Sequence, residues 1–380
     1  MRIALVGTRG VPARYGGFET AVEEVGSRLV DRGHDVVVFC RSSAESEQQS
    51  NYQGMRLVHL PALRTRSLET LSHTALSAVH RALAGTDAAV LFNAANSPFL
   101  PLFRLRGIPV ATHVDGLEWR RSKWGRVGRR YYRIAESLAV RWSDEIIADA
   151  GGIADYYRAE FSCPSRLISY GAPRLTGTGS EKLAELGLAS RGYHLVVARF
   201  EPENHVLEIV RGYVASSAAL PLAVVGSAPY SDEYTALVRA AADERVILLG
   251  GVWDQELLDQ LYAHAASYLH GHSVGGTNPS LLRAAGAGTP VIAFDTAFNR
   301  EVAGVNGEYF AHSADVARLV ERAETDADAF LTMGERLAAD SRRYDWDEVA
   351  REYESLCRDL AEGRLRRRRP SGRRSSEPTA

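Results

Sequence analysis

The chain has 380 residues, enough for two domains that each bury a core of their own. Hydrophobic residues make up 45% and charged residues 24%, an ordinary globular balance that excludes a fibrous or a largely disordered protein. A net charge of −2 supplies no global field for nucleic acid, so any anion-binding function must be local.

The opening residues Met1-Arg-Ile-Ala-Leu-Val6 pass straight into glycines. That apolar run is too short for a secretory signal and reads as a strand. No apolar stretch approaches membrane-spanning length. Cys40, Cys163 and Cys357 lie far apart and follow no metal spacing, which points to a reduced cytoplasm rather than a disulfide framework.

The first unit in chain order is a strand at Ile3–Val6, a glycine-rich loop and a helix. Phe18, Val22, Val25 and Leu29 recur at helical spacing, and Gly33 is the C′ stop. Val36–Phe39 is the next buried strand, which makes a β-α-β opening and predicts a parallel sheet. Leu57–Leu60, Ala88–Phe92, Pro109–His113 and Glu145–Ala148 continue the series. Residues 1–170 therefore read as one doubly wound domain. The pattern restarts with His194–Ala198, Ala223–Val225, Val246–Leu249, Ser267–Leu269 and Pro290–Phe294, a second such domain over 171–345. Its boundary falls in the Gly-, Ser- and Thr-rich stretch Tyr170–Leu188. A late helix at 346–363 follows, and the Arg-rich tail 364–380 is expected to be disordered. Two such sheets in tandem are expected to face a cleft with the carboxyl ends of their strands.

Five segments carry chemistry. The first is the loop Gly7-Thr-Arg-Gly10-Val-Pro-Ala-Arg14-Tyr-Gly16-Gly17-Phe-Glu19, between a strand and a helix. Glycines admit a ligand close to the backbone, and the helix N-terminus favours an anion. The spacing is not the dinucleotide fingerprint, and Arg41 stands where a ribose-binding acid would follow the second strand. The plainer alternative is a turn that simply needs glycine. The second is Thr112-His113-Val-Asp115-Gly-Leu-Glu-Trp119. A neutral His113 at a strand end can hydrogen-bond a sugar hydroxyl, and Asp115 can orient it.

The third is a basic and aromatic stretch: Arg120, Arg121, Lys123, Trp124, Arg126, Arg129, Arg130 and Arg133. Arg126, Arg129, Arg130 and Arg133 share a helical face, while Ile134, Leu138 and Trp142 continue an apolar one. Such a surface suits an anionic membrane or a diphosphate head group, and a merely solvated helix face is the alternative. The fourth is Arg199-Phe-Glu-Pro-Glu-Asn204, where a guanidinium just past a strand can grip a diphosphate. The fifth is His270-Gly-His272-Ser-Val-Gly275-Gly276-Thr277-Asn278-Pro-Ser-Leu-Leu-Arg283. Asn278 is an N-cap and Pro279 an N1 residue, so a helix begins there with free N–H groups aimed at a bound anion. His270 and His272 have no third metal ligand nearby, so no zinc site and no metal or other cofactor is expected.

These residues resemble glycosyltransferase family 4, in particular its rhamnosyltransferase-like branch. The resemblance runs from Val6 to Trp346 through the Val6–Thr20, His113–Arg121, Arg199–Asn204, Gly275–Leu282 and Phe298–Val302 segments and Asn306-Gly307. It implies an α/β GT-B fold of two doubly wound Rossmann-like domains, with the helix at 346–363 packing back on the first, and a retaining, metal-independent transfer from a nucleotide diphosphate sugar. It implies a glycan or polyprenyl-diphosphate-linked acceptor in cell-surface polysaccharide synthesis, with the protein cytoplasmic or peripheral on the inner face of the plasma membrane. Gly16 and Gly17 match the loop that approaches the donor phosphates, Arg199 the diphosphate arginine and Glu301 an acid near the donor. His113, Asp115, Arg199 and Glu301 are the expected catalytic set.

Two positions depart from the wider family. It often has Lys where Asn204 stands, and two glutamates eight positions apart where this chain has Gly275 and Arg283. Gly275 agrees with the branch; Arg283 does not, because a cation cannot accept hydrogen bonds from a ribose. Either Arg283 supplies the phosphate charge that Asn204 lacks, or the donor site is altered. A non-catalytic GT-B scaffold and a nucleotide-sugar epimerase of the same fold therefore stand as competing readings.

Overall fold

The computed structural model describes residues 1–13, 16–42, 49–63, 65, 68–114, 116–121, 123–226 and 232–365. They divide into two compact units, Met1–Tyr170 together with the chain from Trp346, and Gly171–Asp345.

The first unit holds strands β1 (Arg2–Val6), β2 (Asp35–Arg41), β3 (Asn51–Tyr52), β4 (Met55–Leu60), β5 (Ala88–Phe92), β6 (Val110–Val114), β7 (Glu145–Ala148) and β8 (Arg166–Leu167). They form one sheet in the order β3-β4-β2-β1-β5-β6-β7-β8. All pairings are parallel except β3 with β4. Helices α1 (Gly17–Asp31), α2 (Glu69–Val79), α3 (Leu100–Leu105), α4 (Arg126–Trp142) and α5 (Gly151–Phe161) fall between the strands. Ile3 pairs with Val36 on one side and Ala88 on the other, so the winding reverses at β1. The loop after β1 sits at that switch point, where open sheets bind ligands.

Burial explains the elements that were legible. Ile3–Val6 and Ala88–Phe92 are buried along their length, and strands covered on both faces read as unbroken apolar runs. Helix α1 buries Ala21, Val22, Val25 and Leu29. It ends as expected at Gly33: the Gly33 N–H donates to the Val30 carbonyl at 2.8 Å and the His34 N–H to the Leu29 carbonyl at 3.0 Å. That pair of bonds is the Schellman arrangement. The two-residue β3 had no sequence signal; it is set by the turn at Gln53 and Gly54, both with positive φ.

The second unit holds β9 (His194–Val197), β10 (Leu222–Val225), β11 (Val246–Gly250), β12 (Ser267–His270), β13 (Val291–Phe294) and β14 (Glu308–Phe310). Their order is β11-β10-β9-β12-β13-β14, parallel throughout, with the reversal between β9 and β12. Helices α6 (Val206–Val214), α7 (Asp232–Ala241), α8 (Gln255–Ala263), α9 (Pro279–Gly286), α10 (Ala297–Ala303), α11 (Ser313–Thr325) and α12 (Ala327–Asp340) complete it. The core gathers Ile209, Val210, Tyr213, Leu222, Val224, Leu269, Ile292, Val316 and Leu319. Here α6 and α11 approach closely: a Cβ built on Gly212 would lie 2.3 Å from the Ser313 carbonyl oxygen.

The last helix, α13 (Trp346–Ala361), belongs to the first unit. Trp346, Val349, Tyr353, Leu356 and Leu360 are buried at helical spacing. Its polar side pairs with α1 and the residues after it: Arg28 with Asp347 at 2.7 Å, Arg32 with Glu354 at 3.3 Å and His34 with Glu354 at 3.2 Å. The tail beyond residue 365 lies outside the described residues. Among the described residues, no helix is long and apolar enough to cross a membrane.

Candidate functional site

In the second unit, β12 ends at the buried His270 and the chain enters the loop before α9. Asn278 caps that helix, its Oδ1 accepting from the Ser280 N–H at 3.0 Å and the Ser280 hydroxyl at 2.7 Å, with Pro279 at N1. Three neighbouring segments pin the near half of the loop. The Ser273 N–H and hydroxyl donate to the Glu203 carbonyl at 2.9 and 3.0 Å. His205 Nδ1 lies 2.7 Å from the Gly271 carbonyl. Asn299 Nδ2 donates to the carbonyls of His272 at 3.0 Å and Phe294 at 2.8 Å. The far half is open: among the described residues, its two chain neighbours aside, no heavy atom lies within 4 Å of where a Gly275 Cβ would stand. Gly276 is half-buried, and Thr277 is buried against the start of α9. Side-chain-free backbone beside the positive end of a capped helix is a suitable seat for an anion.

The His270–His272 pair is stacked, with ring centroids 4.5 Å apart. His270 Nδ1 lies 3.1 Å from the Tyr268 hydroxyl, which also donates to Ser280 Oγ at 3.0 Å. Burial pushes the His270 pKa down to about 3, so the ring is neutral. Among the described residues no group of three or more His, Cys, Asp or Glu is placed to hold a metal ion.

Arg199 follows β9, with Glu201 beside its guanidinium at 3.8 Å. Asn204 is buried, and its Nδ2 donates to the Arg199 carbonyl at 2.9 Å. Asn204 thus holds the backbone under Arg199 and, through its own carbonyl, borders Gly271, where a Cβ would lie 2.1 Å away. Glu301 is exposed on α10, and its carbonyl accepts from Arg343 at 2.6 Å. Arg283 forms an ion pair with Asp259 of α8. Gln255 Nε2 also donates to Asp259, at 2.9 Å, so Arg283 lies within a local α8–α9 network.

In the first unit the loop after β1 is fitted tightly to its surroundings. A Cβ at Gly7 would meet the Phe92 carbonyl at 2.4 Å, and one at Gly10 would collide with Cys40 Sγ. The glycine requirement at these two positions is therefore met by packing alone. Gly16 caps α1 and Gly17 is its first residue. Glu19, in the first turn of α1, accepts from the Arg9 N–H at 2.9 Å. Burial raises the Glu19 carboxyl pKa against the lowering effect of that bond and of Arg9 and Arg41.

His113 in β6 is buried. Its Nδ1 lies 2.8 Å from the hydroxyl of Tyr353 on α13, and its Nε2 has no partner among the described residues. Phe18, Phe92 and Tyr170 surround the ring with centroids 5.1, 5.5 and 5.8 Å away. Burial lowers its pKa to about 3, so it acts as a neutral imidazole. Asp115 lies outside the described residues.

The basic stretch divides into two groups. Arg121 is buried and pairs with Glu118, and Lys123 Nζ at 3.6 Å and Trp124 Nε1 at 3.3 Å converge on the same carboxylate. Those three side chains build a local knot. Arg120 and Arg133 lie over the Trp119 ring at 5.2 and 5.1 Å. Arg126, Arg129 and Arg130 are exposed on α4, alongside Val127. The buried face of α4 carries Tyr132, Ala135, Glu136 and Ala139, whereas Ile134, expected on the apolar face, is 49% exposed. The Arg-rich first turn hid the true phase of this helix.

Sequence reasoning passed over Tyr353, Glu118 and Asn299. The Glu118–Arg121 spacing was a usable local signal. Tyr353 lies 240 residues from His113 and had none.

Comparison with known proteins bears on both units. Residues 193–326 match the family model for glycosyl transferases group 1, and residues 1–173 match a domain of unknown function, DUF1972. The chain has a GT-B fold of two Rossmann-like units, and the segment 193–326 of the second is similar to glycosyl transferases group 1. It is similar to sucrose-phosphate synthase from Thermosynechococcus elongatus, at 19% identity over 95% of this chain and 99% of that one, with a TM-score of 0.81. It is similar to HepE of Anabaena in complex with UDP-glucose, at 18% identity over 94% and 99%, with a TM-score of 0.77. It is also similar to the E. coli trehalose-6-phosphate protein bound with UDP-2-fluoro glucose, at 12% identity over 98% and 100%, with a TM-score of 0.70. No curated protein sequence matches this chain.

Proposed function

We propose that this glycosyltransferase moves a hexose or deoxyhexose, rhamnose first among the candidates, from a nucleotide diphosphate sugar to a glycan or polyprenyl-diphosphate-linked acceptor. The transfer is retaining and needs no metal, as in the rhamnosyltransferase-like branch of family 4. The observation that carries this reading is the α9 terminus: a capped helix, glycines without neighbours at Gly275, and Arg199 in the same unit. The match of that unit to the glycosyl transferases group 1 model supports it, as do the UDP-sugars bound by HepE and the E. coli neighbour. Gly16, Gly17, Arg199, His272, Gly276, Thr277 and Asn278 are the proposed donor contacts, and Glu301 an acid near the sugar. Asn204 serves that site indirectly, by holding the backbone of Arg199.

Chemically the work is electrostatic. Arg199 and the helix N-terminus offset charge as it develops on the leaving diphosphate, and fixed dipoles do so without reorganising. His113 contributes a neutral hydrogen-bonding ring. The exposed face of Arg126, Arg129 and Arg130 meets the anionic inner face of the plasma membrane, where a lipid-linked acceptor of cell-surface polysaccharide synthesis is found.

One observation favours the second reading, a scaffold that binds nucleotide or glycan without transfer: Arg283 is engaged with Asp259. An assay with radiolabelled nucleotide sugars and membrane lipids separates the two. Label transferred to lipid or glycan supports the enzyme. Nucleotide binding with no transfer from any of a panel of donors supports the scaffold, and conversion of donor without acceptor supports an epimerase. A thermal-shift screen of the same donors identifies the base, because a bound donor stabilises the fold by mass action.

A further inference from the structure

We propose that Tyr353 of α13 is a positioning residue that holds His113 as its Nε2–H tautomer, so that the end of β6 offers a hydrogen-bond donor to a ligand oxygen. Both side chains are 1% exposed, and the Tyr353 hydroxyl lies 2.8 Å from His113 Nδ1. The two possible arrangements of the neutral ring differ in what they leave unpaired.

If Nδ1 carried the proton, it would donate to the tyrosine oxygen. The tyrosine hydrogen would then need another acceptor in a buried place, and His113 is the partner found for this hydroxyl. Two groups would be orphaned, the Tyr353 hydrogen and the Nε2 lone pair. If Nε2 carries the proton, Tyr353 donates to Nδ1 and both are satisfied. One orphan remains, the Nε2–H. Buried polar groups without partners are costly, so the second arrangement wins. A doubly protonated ring is excluded by burial, which lowers the pKa to about 3. Phe18 and Phe92 beside the ring offer no hydrogen bond that could reverse the choice, and Tyr170 stacks on its face with centroids 5.8 Å apart.

The second unit supplies a built-in contrast. His270 also places Nδ1 near a tyrosine hydroxyl, at 3.1 Å from Tyr268, and its buried Nε2 also has no partner among the described residues. Tyr268, however, has Ser280 Oγ at 3.0 Å as an alternative acceptor. The tautomer is therefore imposed at His113 and not at His270. A donor at His113 selects an oxygen acceptor, such as a sugar hydroxyl. That last step rests on the proposed sugar-binding reading of His113; the tautomer does not.

The full chain labelled with 15N-histidine tests both parts. Long-range 1H–15N correlations at pH 7 are expected to show an Nε2–H ring for His113 in the wild type. In Tyr353→Phe they are expected to show a shifted or mixed pattern, with His270 unchanged. An Nδ1–H ring in the wild type, or an unaltered His113 pattern in Tyr353→Phe, overturns the proposal. If that variant does not fold, the wild-type spectrum decides alone. Kinetics test the relay. His113→Gln carries an amide N–H near the Nε2 position that needs no help from Tyr353. Tyr353→Phe should raise the donor KM about tenfold in the wild-type background and less than about twofold in His113→Gln. Equal effects in both backgrounds overturn a role through the ring. An Nε2–H ring with no kinetic effect of either substitution leaves the tautomer standing and overturns the sugar contact.

Discussion

Arg283, in the second turn of α9, is ion-paired with Asp259 of α8, and the two side chains are 21% and 23% exposed. The residue that departs from the pattern of the resembled family thus has a carboxylate partner in its own unit. Its charge is largely neutralised where it stands, which separates its structural role from any role toward a diphosphate. Arg283→Ala is expected to lower stability by about 1 kcal/mol, at the upper end for a partly exposed pair. It should leave nucleotide affinity within about twofold, since an ion pair already made is not available to a ligand. Urea denaturation and calorimetry read the two effects, and a large affinity loss with unchanged stability would reverse the assignment.

Arg199 is expected to act on the ligand directly. It follows β9, and its guanidinium lies 3.8 Å from Glu201. Arg199→Ala should weaken nucleoside diphosphate binding by at least about 1.5 kcal/mol, the loss expected for charged hydrogen bonds. Calorimetric titration with the diphosphate checks this, and unchanged affinity removes Arg199 from the site.

Replacing Arg126, Arg129 and Arg130 together by Ser should weaken binding to anionic vesicles by about a hundredfold, at about 1 kcal/mol for each cation near the surface. The same triple change should leave the melting temperature unaltered, because all three side chains are exposed on α4. Vesicle flotation that matches wild type would remove the membrane face from the proposed function. Arg121→Ser makes a useful control, since it strips Glu118 of its closest cation and should act on stability.

Acid should destabilise the protein well before its carboxylates titrate. Burial depresses the pKa of His73 to about 4 and of His113 and His270 to about 3. In the unfolded chain each would bind a proton near pH 6.5. The unfolded state therefore takes up more protons between those values, and stability is full above about pH 6.5 and lost as the pH falls. The linkage amounts to about 2 kcal/mol for each histidine by pH 5. Urea midpoints measured from pH 7 to pH 5 should fall accordingly, and a flat profile in that window would show that these rings are not buried as neutral groups.

Much of the fold could be read from the chain itself, because its sheets are parallel. Buried parallel strands such as β1, β5 and β13 are short apolar runs between turn residues, and every one of them stands out. The cap of α9 was equally visible, since Asn278 and Pro279 act through local backbone geometry. What escaped was set by distant partners. The edge strands β3, β8 and β14 are two or three residues long and exist through their neighbours. Asn204 stands where the resembled family often has Lys, and nothing in the chain signals that its amide donates to the Arg199 carbonyl five residues back. The phase of α4 was misread at Ile134 because a run of arginines masks the apolar stripe.

Gly212 offers a test of packing alone. Its missing Cβ admits the Ser313 carbonyl, so α6 and α11 touch through backbone. Gly212→Ala should cost about 2 kcal/mol as the helices are forced apart, within the usual range for overpacking. Measurement of the urea midpoint checks it, and a neutral or stabilised variant would mean that the two helices can part freely.

The return of α13 to the first unit imposes an order on synthesis. Ribosomes release the strands of that unit first, and domains generally begin folding as they emerge. Tyr353, which faces His113, is made after the whole of the second unit. Until then the nascent first unit lacks Trp346, Val349, Tyr353 and Leu356, which are buried in the finished fold, and His113 lacks the Tyr353 hydroxyl. A truncation before α13 would therefore leave a sheet that has formed but whose histidine has no fixed proton. Completing the chain and arming the ring become one event.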